Sequence, residues 1–214
     1  MAASNRFLHL SLCLLFTTSS TFSKGVPIPK KPLGYVYGNG KPTAPIHLEA
    51  FVDLTCPDCQ QAWPTIKQVA KLYGPDTILV LVQPFPLPYH TNAFIAAQSV
   101  PVVASYNSSL VFTWIDVLFK FQSELYNFQT MNKNRYDILN IVSSLAPKAG
   151  VPSDIMKTGL TGTESDGAAR IGWKHGCLRT VAGTPTFFIN GIPVEADSSW
   201  TVQQWKDVID PLLK

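Results

Sequence analysis

Strand-forming patterns lie in two separate parts of this chain, and a long helical region divides them. Residues 46–53 alternate between two faces, one of them wholly apolar, which predicts a strand with a buried face. A second strand is predicted at residues 77–83, where the run is apolar and rich in β-branched residues. Residues 92–176 have helical spacing, and strand patterns return only at residues 186–194, around an Asn-Gly turn. The chain therefore predicts an α/β fold whose sheet is assembled from both ends of the sequence.

Helices are predicted between and after these strands. Residues 56–73 carry apolar side chains at helical spacing, and Pro57 suits the first helical position because its missing N–H needs no partner there. A last amphipathic helix is predicted at residues 200–213. The helical region divides at turn residues into five predicted helices, at residues 92–103, 110–128, 135–147, 153–160 and 164–175.

The order of these elements defines the predicted domain organisation. A strand, a helix and a strand precede the helical region, and two strands and a helix follow it. We therefore predict one domain whose sheet part is formed by residues of about 34–90 and 179–214, with an all-helical insert at about 91–178. A short additional strand is predicted at residues 35–37, inside a proline-rich lead-in.

The N-terminus has the pattern of a secretory signal peptide. Arg6 precedes an apolar run at residues 7–16, and small polar residues follow. A membrane anchor is the alternative, but ten residues rise only about 15 Å as a helix, about half of a bilayer core. We predict a cleaved signal peptide at residues 1–23 and a secreted or lumenal mature chain, residues 24–214, without a membrane span. The C-terminal residues 210–214 are no retention signal.

Composition and cysteine content narrow the function. The net charge is +3 without a dense Lys/Arg cluster, so nucleic-acid binding is not expected. Of the four cysteines, Cys13 lies in the predicted signal peptide, which leaves Cys56, Cys59 and Cys177 in the mature chain. A close pair and one odd thiol indicate chemistry rather than a disulfide-stapled scaffold.

The cysteine pair stands at the junction between the first long strand and the first long helix. Cys56-Pro57-Asp58-Cys59 begins the helix, where unpaired backbone N–H groups and the helix dipole favour a thiolate and lower the pKa of Cys56. The thiolate is the attacking species in disulfide exchange. Cys59 lies one turn further along and is placed to attack the mixed disulfide that Cys56 forms. The spacing predicts a nucleophilic and a resolving thiol.

Two other uses of such a pair stay open. A zinc site normally needs four ligands, whereas the mature chain has no second CxxC motif and its histidines are scattered. A purely structural disulfide between Cys56 and Cys59 would close so small a loop that it removes little entropy from the unfolded chain. Neither a metal nor an organic cofactor is expected.

The motifs carry a family resemblance over nearly the whole mature chain. Residues 51–59 and 183–191, with residues 86–90 between them, resemble the DsbA-like branch of the thioredoxin superfamily. The helical insert is similar as well, and plain thioredoxins lack it. The resemblance implies a thioredoxin fold of three layers, with a central mixed sheet and an inserted helical subdomain.

The resemblance also implies a function and its residues. Pro185 should be the cis-proline that faces Cys56 and Cys59, and the backbone of Thr184 should pair with an extended substrate segment. The implied activity is protein thiol–disulfide exchange with secreted or lumenal polypeptides. An unidentified redox partner would restore the oxidation state of the two cysteines after each exchange. Oxidase, reductase and isomerase share these residues, so the direction of exchange stays open.

Two positions depart from the family pattern. Family members commonly carry a buried acid six residues before the first cysteine, which is thought to accept a proton from the resolving thiol. Ala50 occupies that position, and Glu49 and Asp53 are predicted on the opposite strand face, so a proton route through a buried carboxylate is not expected. Strongly oxidising members have histidine between the cysteines. Here Pro57 and Asp58 would tune the motif, and the negative charge of Asp58 disfavours a thiolate and predicts a milder oxidant.

Other functions were weighed against exchange activity. A thioredoxin-fold module or chaperone would bind clients with its CxxC motif permanently oxidised. A peroxidase of the same fold usually has a lone peroxidatic cysteine, which does not match a pair. Cys177, His90 and His175 are interpreted as structural residues. The lead-in at residues 24–45 is too short for a dimerisation segment, so a monomer is expected.

Overall fold

The computed structural model describes residues 27–29 and 31–214, so the predicted signal peptide lies outside the described residues. Five strands form a single mixed sheet in the order β1-β3-β2-β4-β5. The strands are β1 (Tyr35–Tyr37), β2 (Ile46–Val52), β3 (Ile78–Pro84), β4 (Thr186–Ile189) and β5 (Ile192–Val194). β2 runs parallel to β3 and antiparallel to β4, so the second half of the chain adds its hairpin beside the central strand. All five predicted strands, including the short strand at residues 35–37, are confirmed.

Helices cover both faces of this sheet. They are α1 (Pro57–Tyr73), α2 (Ala93–Asn107), α3 (Val111–Phe121), α4 (Asn127–Thr130), α5 (Arg135–Leu145), α6 (Ser153–Thr161), α7 (Thr163–Leu178) and α8 (Val202–Ile209). α1 and α8 pack on one face, where Trp205 contacts Phe187 edge to face and both side chains are buried. α7 packs on the other face against β3. The three-layer thioredoxin fold with a helical insert, α2–α7, is thus confirmed.

Strand alternation predicts one buried face for β2, but in the structure side chains on both faces are buried near its end. Ile46, Leu48 and the other even-numbered side chains lie in the main core, but Phe51 is also fully buried, on the opposite face. α7 packs on this opposite face. Its Gly176 lies so close to the sheet side that a Cβ there would be 2.4 Å from the ring of Phe85. Burial on both faces holds the end of β2 rigidly, and the cysteine motif follows that end.

One predicted helix, at residues 110–128, is divided in the structure. α3 ends at Phe121, a 3₁₀ turn spans Gln122–Leu125, and Tyr126 is extended before α4 begins. The reason is tertiary: the turn directs the buried side chain of Gln122 toward the cysteine motif, where its amide donates to the carbonyl of Cys56 at 3.4 Å. The apolar spacing of this stretch carries no signal for that contact.

The helical run Ala93–Leu125 is long and apolar enough to cross a membrane by length and composition alone. The sequence prediction, which treated its pieces separately, did not anticipate this. In the fold the run is interrupted by a 3₁₀ turn at Ser108–Leu110, and α2 and α3 pack on each other. The indole of Trp114 donates a hydrogen bond to Ser99 at 2.7 Å across that contact.

Candidate active site

The two cysteines occupy the first turn of α1. Cys56 is the N-cap residue, with an extended backbone, and Pro57 takes the first helical position. Cys59, one turn further, is completely buried, whereas Cys56 keeps 4% of its surface exposed. Both are free thiols in this structure. Both cysteines of the motif are thus buried, and Cys56 is the one that keeps some exposed surface.

The loop before β4 faces this motif. β4 pairs with β2 so that Thr186 lies opposite Phe51, near the end of β2 from which the cysteine loop departs. The Thr184–Pro185 peptide bond is cis. The carbonyl of Thr184 accepts a hydrogen bond from the thiol of Cys56 at 3.5 Å, although the two residues are 128 positions apart. The sheet pairing thus brings together the four residues predicted to form the site.

The surroundings of Cys56 stabilise its thiolate. A hydrogen bond from the Cys59 thiol makes the largest contribution and lowers the pKa of Cys56 to about 6, although burial opposes the shift. The backbone N–H groups of Cys59 and Asp58 lower it further. Cys56 is consequently an anion at neutral pH, which is the nucleophilic form of cysteine.

Cys59 is shifted in the opposite direction. Burial is the largest cause that raises its pKa well above the ordinary value, followed by the hydrogen bond to Cys56 and the charge of the Cys56 thiolate. The backbone N–H of Asp53 donates to the Cys59 sulfur at 3.4 Å. Cys59 therefore holds its proton at a pH at which Cys56 is a thiolate.

These shifts predict selective alkylation of the reduced protein. At pH 7 iodoacetamide should modify Cys56 at least about 100-fold faster than Cys59, because each unit of pKa difference changes the thiolate fraction about tenfold. The Cys56 rate should rise with pH, pass its midpoint near pH 6 and level off above it, since the thiolate is then fully formed. Peptide mapping by mass spectrometry over a pH series measures both rates. Earlier labelling of Cys59 would contradict the assignment.

A buried carboxylate lies beside the motif. β2 ends at Val52, and the contact with the N–H of Leu87, which clusters with Phe51, agrees with the predicted strand face of the next residue, Asp53. Its side chain is fully buried and accepts hydrogen bonds from the N–H and hydroxyl of Thr55, both at 2.7 Å, and from the N–H of Leu87 at 2.9 Å. His90 Nδ1 lies 2.9 Å from the same carboxylate. The Asp-x-Thr spacing, typical of an Asx turn, was the available sequence signal.

The insert completes the surroundings of the motif. The Gln122 amide binds the Cys56 carbonyl, and the Tyr126 hydroxyl donates to Gln122. A groove of about 180 Å³ opens beside the motif. Its lining residues are Thr55, Pro57, His90, Leu125, Tyr126 and Asn127. Sequence reasoning assigned none of the three insert residues in this lining to the site.

The other residues that the sequence singles out are Asp58, Cys177 and His175. Asp58 is exposed and accepts a long hydrogen bond from Ser198, at 3.5 Å. The pKa of Cys56 is lowered despite the negative charge of Asp58, whose backbone N–H stabilises the thiolate. Cys177 is exposed near the end of α7, and the pKa of His175 is lowered chiefly by burial. Within residues 27–29 and 31–214, no group of three or more His, Cys, Asp or Glu side chains is placed to hold a metal ion.

Comparison with known proteins gives the same architecture. Many solved structures share the fold, among them the following three. A candidate protein-disulfide isomerase from Pseudomonas syringae has a TM-score of 0.71 at 17% identity, covering 82% of this chain and 97% of its own. The thiol-disulfide exchange protein α-DsbA2 from Wolbachia pipientis has a TM-score of 0.65 at 15% identity, with coverages of 84% and 87%. A periplasmic thioredoxin-like protein from Salmonella enterica serovar Typhimurium has a TM-score of 0.62 at 19% identity, with coverages of 86% and 92%.

The family assignment comes from the sequence match. No curated protein gives a significant match to the chain. A family model described as thioredoxin matches residues 34–211, a range that includes both cysteines of the motif and the Thr184–Pro185 loop. Since this match spans most of the chain and the fold has the DsbA-like helical insert, the chain belongs to the thioredoxin family.

Proposed function

We propose that this protein catalyses thiol–disulfide exchange with polypeptides, with Cys56 as the nucleophile and Cys59 as the resolving thiol. The observation that carries the proposal is the position of Cys56 at the N-cap of α1, with the fully buried Cys59 one turn behind it and the Thr184 carbonyl 3.5 Å from its sulfur. The opposite pKa shifts of the two sulfurs agree with it. A permanently oxidised binding module would have no use for a stabilised thiolate. The names of the Pseudomonas and Wolbachia relatives agree with this activity.

The geometry supports a two-step reaction from the reduced state. The Cys56 thiolate attacks one sulfur of a client disulfide, so a Cys56–client bond forms, the client disulfide breaks, and the other client sulfur leaves with the electron pair. The Cys59 sulfur then attacks Cys56, which forms the Cys56–Cys59 disulfide and releases the second client sulfur. In the reverse direction the same residues oxidise a client dithiol, and the redox partner that recharges the motif sets the direction.

The Thr184–Pro185 loop is the proposed substrate-binding element. It lies against Cys56 through the 3.5 Å contact to the Thr184 carbonyl. A client segment in extended conformation would pair with this backbone, as an added strand pairs with a sheet edge. Pro57 and Asp58, both exposed beside Cys56, would contact the same segment and tune the motif.

The proposed setting is the secretory pathway. The signal-peptide pattern at residues 1–23 supports this, and the Salmonella relative is described as periplasmic. The mature protein would then be a single domain, residues 24–214, acting as a monomer on secreted or lumenal thiols and disulfides.

A trapping experiment tests the function. In a Cys59→Ser/Cys177→Ser variant, Cys56 attacks a cystine-containing peptide but the adduct has no resolving thiol. We expect mass spectrometry to show an adduct of half the peptide on Cys56, whereas the Cys177→Ser control passes on to the Cys56–Cys59 disulfide without accumulating it. Absence of any adduct on Cys56 would refute the exchange activity and leave client binding as the function.

A further inference from the structure

The proposed reaction releases the first client sulfur as a thiolate. In disulfide exchange a leaving sulfur of lower basicity departs faster, so a group that gives a proton to the departing sulfur would speed the step. Cys56 reacts as a thiolate and has no proton to give, and Cys59 keeps its own for the second step. A proton donor beside the motif would therefore accelerate exchange with protein disulfides.

The hydrogen bonds of Asp53 define the protonation state of one ring nitrogen of His90. The carboxylate is fully buried and its Oδ2 atom already accepts the N–H of Leu87, while Oδ1 accepts both donors of Thr55. Since three N–H and O–H donors already point at this side chain, we assign it the acceptor role in the 2.9 Å contact with Nδ1 of His90, and the hydrogen of that contact to Nδ1. Nε2 is then the nitrogen that gains or releases a proton.

His90 lies beside the cysteine motif. Its side chain is 23% exposed and lines a groove together with Thr55 and Pro57, the two residues that flank Cys56. Nε2 makes no hydrogen bond to any residue in the described part of the chain. Tyr126 lines the same groove, and burial and the charge of Cys56 raise its pKa. The Cys56 thiolate therefore acts electrostatically on groups in this groove.

We propose that His90, positioned by Asp53, is the acid–base catalyst for the client sulfur in this groove. The proposal rests on the exchange function argued above.

In the first step the Cys56–client bond forms, the client disulfide breaks, and the departing sulfur takes the proton from Nε2 of the imidazolium. In the second step the departing sulfur takes the proton that Cys59 loses. The balance is one dithiol and one client disulfide converted to one protein disulfide and two client thiols. In reverse, Nε2 removes the proton of an incoming client thiol.

Two disulfide probes separate this role from a structural one. A cystine peptide releases an alkyl thiolate that benefits from protonation, whereas dithiobis(nitrobenzoate) releases an aromatic thiolate that leaves unaided. The variant is His90→Asn, because the Asn amide replaces Nδ1 and keeps a donor to Asp53 while removing the ionisable nitrogen. If His90→Asn does not fold, a His90→Gln variant also removes the ionisable nitrogen, and its two rates are compared with each other, because the loss of the contact to Asp53 would affect both probes alike.

We expect His90→Asn to slow reduction of the cystine peptide about tenfold or more, near the lower end of general acid catalysis. Its rate with dithiobis(nitrobenzoate) should stay within about twofold of wild type. The control is His47→Gln, since His47 lies near the start of β2, away from the motif, and the Gln amide replaces its Nε2 contact with Pro42. Both of its rates should match wild type.

The outcomes distinguish this proposal from the exchange function. Equal slowing with both probes would assign His90 to the structure of the motif and overturn the catalytic role. No slowing with either probe would overturn it as well. If the wild-type protein itself fails to reduce the cystine peptide, the exchange function is refuted. The catalytic role of His90 is then refuted too, because there is no exchange reaction for it to catalyse.

Discussion

Replacing Cys56 by serine is expected to lower the rate of client-disulfide reduction by at least about 1000-fold, as removal of a nucleophile does in other enzymes. A serine hydroxyl is not ionised at neutral pH, so the stabilisation that lowers the pKa of Cys56 to about 6 has no anion to act on. Cys59 cannot substitute, because it is completely buried and its pKa is raised well above the ordinary value. Turnover of insulin disulfides with an external thiol as reductant measures the loss.

The matched control is Cys177→Ser. Cys177 is exposed in the last turn of α7, outside the groove and the cysteine motif. Its replacement should leave the insulin turnover within about twofold of wild type, as expected of a surface change that touches no reacting group. A Cys56→Ser protein that keeps more than about a tenth of the wild-type rate would contradict the nucleophile assignment.

Replacing Asp53 by alanine is expected to lower the free energy of unfolding by about 3 kcal/mol. The carboxylate is the acceptor for the backbone N–H groups of Thr55 and Leu87, which are held by the fold and cannot turn to another partner. Each buried donor left without an acceptor costs about 1–3 kcal/mol. The Thr55 hydroxyl and His90 lose the same acceptor. Urea unfolding followed by circular dichroism measures the change in midpoint at constant slope.

Glu195→Ala is the control for this measurement. Glu195 is an exposed acid that follows β5, so its replacement tests the loss of a carboxylate without the loss of a buried acceptor. We expect a change of at most about 0.5 kcal/mol. Equal stability of the Asp53→Ala and wild-type proteins would show that the Thr55 and Leu87 N–H groups find other acceptors.

The predicted helices and strands agree with the structure where a pattern of neighbouring residues indicates where the element begins. The alternation in β2 and the proline at the start of α1 are local signals, so both elements begin within one residue of their predicted positions. The predicted helix over residues 110–128 is too long by comparison. Its apolar residues keep helical spacing across the turn at Gln122, and a hydrogen bond to Cys56 decides where α3 ends.

The two motifs name the residues of the candidate site but not their surroundings. Cys56, Cys59, Thr184 and Pro185 are identified from sequence because each motif is a continuous segment. Asp53 is predicted on the strand face opposite Ala50, and only the structure shows that this face is buried against Leu87 and His90. His90 is interpreted from sequence as a residue that starts or caps a helix, and nothing in its segment indicates the contact with Asp53, 37 positions away.

The sequence by itself determined the order of the elements and the residue types of the redox motif, since helical spacing, strand alternation and the strand–helix junction are properties of neighbouring residues. Only the tertiary structure decided which groups surround the thiolate. The pairing of β4 with β2 places Thr184 against Cys56, and the turn after β2 buries Asp53 beside His90. The physical reason is that hydrogen bonds and burial, which shift the two cysteine pKa values apart, depend on distances between segments that only the packed sheet and insert establish.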